Sequence, residues 1–208
     1  MDSNANGHDR AVRVTGQFAP LVGALIGICG GAIYWVGMQV WPSNVAVILS
    51  MASTALLTTQ LPGGMPAAPL DTASRLLCLL VKYNALMALS AAKLPFAVPA
   101  NLPLGFVMTC GFAASFALPL SVTALQPAKE APLSSGALAL ALAIGFAPAV
   151  LLGIPGLVGL AAATLAALGI LAFLKVRRVA SSQHAPTLIQ SLTEVCFYLG
   201  ALATWRYI

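Results

Sequence analysis

Acidic side chains are scarce in this sequence. Five of the 208 residues are Asp or Glu, namely Asp2, Asp9, Asp71, Glu130 and Glu194. A cluster of aspartates of the kind that holds Mg²⁺ is therefore absent from the sequence. The P-loop, the HExxH helix, the nucleophile elbow and the glycine-rich dinucleotide fingerprint are absent as well. Any metal-dependent or acid–base chemistry must be built from these few carboxylates.

Charge of either sign is rare, and hydrophobic residues dominate. Charged residues make up 7% of the chain and hydrophobic residues 60%, and the mean hydropathy is +0.93. A soluble domain carries about 25% charged residues, so a soluble fold could not keep this much apolar surface from water. The composition predicts an integral membrane protein.

The positive net charge of +5 has a simple explanation in such a protein. The basic residues lie at the ends of apolar segments, where membrane orientation and anionic lipid account for them. We therefore expect membrane lipid, and no nucleic acid, as a partner; an oligomer is left open. The four cysteines lie inside apolar runs and form no CxxC pair, which favours buried structural thiols over a disulfide or a metal site.

The apolar residues form seven segments separated by short polar or proline-rich stretches. The predicted segments are residues 18–40, 44–61, 72–92, 104–124, 134–152, 156–174 and 187–204. The clearest loop is 62–69, whose three prolines and two glycines cannot continue a helix. We predict an all-α polytopic membrane protein with six or seven transmembrane helices. Residues 1–17 form a polar N-terminal tail, and residues 18–208 form a single transmembrane helical domain.

Three glycines of the first segment repeat at a spacing of four residues. Gly23, Gly27 and Gly31 therefore lie on one face of the predicted helix. Because a face without side chains lets another helix approach closely, this face is predicted to pack against a neighbouring helix.

The distribution of basic residues predicts the orientation in the membrane. The side that holds the N-terminus carries seven basic residues, and the opposite side carries Lys93 and Arg206. The seven are Arg10, Arg13, Arg75, Lys129, Lys175, Arg177 and Arg178. The positive-inside rule then puts the N-terminus in the cytoplasm. We expect the protein to lie in the bacterial cytoplasmic (inner) membrane.

Two ionisable residues lie within predicted spans. Lys82 lies about 15 Å along the third segment and Glu194 about 10 Å along the seventh, at about 1.5 Å per residue. A charge at such a depth is costly unless it is paired or hydrated, so both residues are candidate functional groups. One hypothesis is that they face an internal cavity open to the cytoplasm. The alternative is that each has only a structural partner.

Four loop residues on the cytoplasmic side complete the candidate site. They are Asp71, Arg75, Lys129 and Glu130. Basic side chains at a membrane surface can bind phosphates, although the orientation rule alone also produces such clusters.

The order of several short stretches resembles the cobalamin synthase family (adenosylcobinamide-GDP ribazoletransferase). The opening from Gln17 to Gly27, with its phenylalanine, proline and spaced glycines, is similar to the start of that family's first span. Four further stretches look like later parts of the family in the same order. They are Leu56–Leu61, Leu79–Tyr83, Ala128–Glu130 and Leu188–Val195. The resemblance covers most of residues 17–203.

The sequence also departs from the family's acidic motifs. Where the family has a histidine and acidic residues, this chain has Pro62, Gly63 and Gly64. Where the family has Thr-Gly-Asp near its last span, this chain has Ser182, Gln183 and His184. The chain therefore resembles a divergent family member that lacks these carboxylates.

The resemblance implies a function and roles for the candidate residues. Family members join α-ribazole or its phosphate to adenosylcobinamide-GDP and release GMP, with Mg²⁺, in cobalamin (vitamin B12) biosynthesis. The implied partners are corrinoid and nucleoside phosphate substrates. In this chain Glu194 and Lys82 would be catalytic, with Glu194 also the candidate Mg²⁺ ligand. Lys129, Glu130, Arg75 and Asp71 would bind substrate.

Two other functions remain open at the level of sequence. The chain could be a catalytically inactive homologue that acts as a membrane scaffold or binds a corrinoid. It could also be an unrelated small membrane transporter, which would require ionisable residues along a path through the bilayer.

Overall fold

The computed structural model describes residues 18–60, 72–91, 102–124, 134–176 and 185–205, all of which belong to helices or to their immediate ends. The helices are α1 Ala19–Val40, α2 Ser43–Gln60, α3 Thr72–Ala91, α4 Leu102–Ala124, α5 Ser135–Leu151, α6 Ile154–Val176 and α7 Ala185–Trp205. The fold is all-α over this part of the chain, as predicted, and each helix begins and ends within two residues of its predicted segment.

Three of the described helices are long and apolar enough to cross a bilayer. They are Ala19–Val40, Leu104–Ser121 and Ile154–Phe173, and three shorter apolar helices accompany them over 43–59, 76–91 and 135–151. The structure is that of a helical membrane protein. Six or seven crossings remain a prediction.

Helix α4 lies at the centre of the bundle. Every residue from 107 to 115 is buried, and α4 contacts α1, α3, α5, α6 and α7. A helix that is apolar around its whole circumference is typical of the interior of a bundle. By contrast, α6 exposes large apolar side chains such as Leu157, Leu165 and Phe173. This is the surface that a peripheral helix presents to lipid.

The glycine face of α1 packs directly on α4, which confirms the predicted close approach. A Cβ on Gly23 would lie 2.7 Å from the carbonyl oxygen of Phe112, and one on Gly31 would lie 2.6 Å from the Cα of Gly105. Later residues of α1 contact earlier residues of α4, so the two helices are antiparallel. Small residues at these positions let the two backbones touch, which is how helices commonly associate in membranes.

A tight turn separates α5 from α6. Helix α5 ends at Leu151 and α6 begins at Ile154. Gly153 adopts φ +75° between them, a conformation that glycine reaches without steric cost. The two segments are therefore distinct helices.

Candidate functional site

Lys82 lies on the inward face of α3. The buried residues of this helix, Lys82, Ala85, Leu86 and Leu89, recur at spacings of three and four residues, which places them on one stripe of the helix. Packing of that stripe against the bundle carries the lysine inward. The helical period is therefore sufficient to explain why Lys82 is buried.

Glu194 lies on the corresponding face of α7. Buried residues surround it along the helix, including Thr193, Phe197, Tyr198 and Ala201. Helix α7 in turn packs closely on α6, where a Cβ on Gly200 would lie 2.9 Å from the Cα of Gly159. Helix α7 also contacts α3 and α4, and these contacts together fix the position of α7 and of its carboxylate.

The two charged side chains form a direct ion pair. Nζ of Lys82 lies 2.7 Å from Oε1 of Glu194, and each side chain keeps only 11% of its surface exposed. Removing two charges from water costs several kcal/mol each, which only close geometry and further hydrogen bonds can offset. The sequence predicted both residues as intramembrane candidates, and the structure brings them together. The cytoplasm-facing cavity stays a prediction.

Two aromatic side chains complete the surroundings of the pair. The hydroxyl of Tyr198 donates a hydrogen bond to Oε1 of Glu194 over 3.0 Å, so this oxygen accepts from both Tyr198 and Lys82. The ammonium of Lys82 also lies 4.7 Å from the centroid of the Phe112 ring, within the range of a cation–π contact. The carboxylate and the ammonium therefore each have a second favourable contact.

Sequence reasoning missed both aromatic residues. Tyr198 follows Glu194 by four residues, a spacing that makes side chains neighbours on a helix, so this partner carried a usable signal. No signal in the sequence pointed to Phe112, because it lies on a different helix from both Lys82 and Glu194. Its contact depends on how α3 and α4 pack.

The side chains of the other predicted site residues lie outside the described part of the chain. Asp71, Lys129 and Glu130 lie outside the described residues. Arg75 lies near the start of α3, but the structure does not describe its side chain. Their assignment to substrate binding stays a prediction.

A metal site is likewise not assembled among the described residues. Within them, no group of three or more His, Cys, Asp or Glu side chains could hold a metal ion. Glu194 is the one carboxylate in this part of the chain, and its Oε1 is occupied by an ammonium and a hydroxyl. Mg²⁺ binds through carboxylate and phosphate oxygens, and its assignment to Glu194 stays a prediction. We assign no reaction step to Mg²⁺.

Two comparisons with known proteins gave partial matches to the cobalamin synthase family. The family model described as "Cobalamin-5-phosphate synthase" (CobS) matches residues 5–61, which include all of α1 and α2. The matches support membership of the cobalamin synthase family. A curated relative is the adenosylcobinamide-GDP ribazoletransferase of Leptothrix cholodnii, which is 54% identical over 39 residues.

The cobalamin synthase match is confined to a small part of each protein. The 39 aligned residues span 19% of this chain and 15% of the length of the Leptothrix relative. The family match ends before α3, so Lys82 and Glu194 both lie beyond it. No solved structure matches the chain.

Proposed function

We propose that this protein is a cobalamin synthase-like membrane transferase. It would join α-ribazole, or its phosphate, to adenosylcobinamide-GDP and release GMP. The observation that carries the proposal is the family match over residues 5–61. The buried Lys82–Glu194 pair supports it, because an intramembrane ion pair on facing helices is a candidate functional site by default.

The reaction breaks a phosphoanhydride bond of the substrate and forms a phosphoester bond. A sugar hydroxyl of the lower-ligand nucleoside, or of its phosphate, attacks the phosphorus joined to cobinamide. The bond from that phosphorus to the GMP oxygen breaks, and GMP leaves. A proton released from an attacking hydroxyl passes to a base or to water. Catalysis of such a transfer is mostly positioning and stabilisation of negative charge.

The residues of the pair suit these two tasks. The ammonium of Lys82 is a point charge that binds phosphate oxygens, and the pyrophosphate of the substrate offers several. Glu194 then orients the attacking group of the nucleoside. Arg75 and Lys129 add positive charge for the phosphates, and Asp71 and Glu130 add carboxylates at the membrane surface. Mg²⁺ remains an expectation from the family alone.

Complementation tests the proposal. A strain that lacks cobalamin synthase and receives this gene should grow on cobinamide when cobalamin is required. Membranes from that strain should release GMP from adenosylcobinamide-GDP only when α-ribazole or its phosphate is added. Failure of both assays despite normal membrane expression would reject the activity.

Two variants then test the site. Lys82→Gln and Glu194→Gln should each lower GMP release by at least about 100-fold, the usual size of a lost positioned catalytic group. The matched control is Lys93→Gln, which removes a lysine that the charge distribution puts on the opposite side of the membrane. If Lys82→Gln and Glu194→Gln release GMP as fast as Lys93→Gln at equal expression, the pair takes no part in the reaction.

A catalytically inactive homologue is the second candidate, and a specific observation favours it. The one carboxylate among the described residues is already bound by Lys82 and Tyr198, which is also the arrangement of a purely structural ion pair. Such a protein would bind adenosylcobinamide-GDP, or assemble with other membrane proteins, without turnover. Equilibrium binding of the corrinoid nucleotide by inactive membranes would identify this case.

A further inference from the structure

The hydroxyl of Tyr198 is the least accessible donor at the ion pair. Its side chain is fully buried in α7, and the hydroxyl lies 3.0 Å from the same Oε1 that Lys82 approaches to 2.7 Å. Two donors on one carboxylate oxygen leave that oxygen satisfied even when one of them departs. Lys82 belongs to another helix and has a flexible stem, whereas Tyr198 shares the helix of Glu194.

The central helix holds both donors in place through two consecutive residues. A Cβ on Gly111 would lie 2.9 Å from the hydroxyl oxygen of Tyr198 and 2.8 Å from its Cζ, so the tyrosine ring rests against the backbone of α4. The next residue, Phe112, places its ring 4.7 Å from the ammonium of Lys82. The tyrosine is thus wedged between α4 and α7, while the lysine keeps a contact that does not depend on Glu194.

We propose that Tyr198 is a positioning residue that keeps Glu194 hydrogen-bonded when Lys82 leaves it for a substrate phosphate. The inference rests on the proposed function, since it supposes that Lys82 binds the pyrophosphate of the corrinoid nucleotide. A buried carboxylate without any donor is strongly unfavourable. The Tyr198 hydroxyl lowers that cost in the substrate-bound state, where the ammonium no longer supplies the hydrogen bond.

The proposal makes a kinetic prediction that a merely structural role does not make. In Tyr198→Phe the free protein keeps the Lys82–Glu194 pair, but the bound state leaves Glu194 without its remaining donor. Ground state and transition state of the bound enzyme lose the same contact, so KM rises while kcat is retained. We expect KM for adenosylcobinamide-GDP to rise about 10- to 100-fold, the worth of a hydrogen bond to a charged group, with kcat within about threefold of wild type.

Tyr34→Phe is the matched control. Tyr34 is also buried, but it lies on α1. Loss of its hydroxyl should leave KM unchanged. A Tyr198→Phe protein with wild-type KM would overturn the proposal, and so would one that loses kcat at constant KM, because a smaller folded fraction has that effect.

The outcomes separate this inference from the proposed function. Wild-type membranes that neither turn over nor bind adenosylcobinamide-GDP would overturn both. Wild-type turnover with no effect of Tyr198→Phe on KM would overturn the inference alone. Where wild type binds without turnover, the dissociation constant of the corrinoid nucleotide replaces KM, with the same expected 10- to 100-fold rise.

A measurement on the wild-type chain decides the matter if Tyr198→Phe does not fold. The chain has two glutamates, Glu130 and Glu194, so a ¹³C-carboxyl glutamate label introduced by cell-free synthesis gives two signals, which Glu130→Gln assigns. Adding adenosylcobinamide-GDP should shift the Glu194 signal, while its dipolar coupling to a labelled Tyr198 ring persists. An unshifted signal, or a coupling lost on binding, would overturn the proposal.

Discussion

Gly31 of α1 and Gly105 of α4 meet backbone to backbone. A Cβ built on Gly105 would lie 3.1 Å from the Cα of Gly31, and the converse distance is 2.6 Å. Neither helix can accept a larger residue here without moving its main chain. This contact, with those of Gly23 and Gly27 on the same face, joins the region that matches the family to the central helix of the bundle.

Replacing Gly31 should therefore separate α1 from α4. Gly31→Val is expected to lower the free energy of unfolding by at least about 1–3 kcal/mol, the usual cost of overpacking, because the opposing atoms are backbone. The matched control is Gly169→Val in α6, where no atom lies within 4 Å of the added Cβ. Unfolding of the purified proteins in detergent compares them. Equal stability of the two variants would contradict the close contact.

The ion pair should show strong coupling in a double-mutant cycle. Lys82→Met leaves Glu194 with Tyr198 as its donor, and Glu194→Met leaves Lys82 over the Phe112 ring. Each single variant should lose about 3 kcal/mol of unfolding free energy, since each leaves a buried charge without its partner. The double variant should recover most of that loss, because its core is apolar. Additive losses would show that the two charges do not interact.

The cysteines should differ in reactivity according to their positions. Cys110 lies in the centre of α4 and is fully buried, whereas Cys29 is exposed on α1. In single-cysteine proteins in detergent, N-ethylmaleimide should modify Cys29 and should leave Cys110 unmodified until the protein unfolds. Mass spectrometry after a fixed reaction time measures both. Rapid modification of Cys110 in the folded protein would contradict the central position of α4.

The membrane orientation can be tested independently of any activity. The basic residues predict a cytoplasmic N-terminus, and seven crossings would then put the C-terminus outside. Alkaline phosphatase fused after Ile208 should be active, and green fluorescent protein fused at the same point should be dark. The reverse result would mean an even number of crossings or an N-terminus outside the cytoplasm, and would contradict the predicted topology.

The sequence predicted the helix boundaries to within two residues because those boundaries depend on local features. Hydropathy marks each apolar run, and Pro42, Pro62 and the Gly153–Pro155 stretch interrupt the pattern where helices cannot continue. The glycine repeat of α1 was also readable, since three residues on one face require only the helical period. Which helix would cover that face was not readable, because nothing in α1 specifies the partner.

The sequence by itself determined that this chain is a helical membrane protein with few carboxylates, and that Lys82 and Glu194 lie within its apolar segments. Hydropathy and helical period are properties of a single segment, so they suffice for those conclusions. Only the tertiary structure decided that Lys82 meets Glu194 and that Phe112 lies beside them. That meeting depends on the rotation and depth of α3, α4 and α7 relative to one another, which packing of the whole bundle sets.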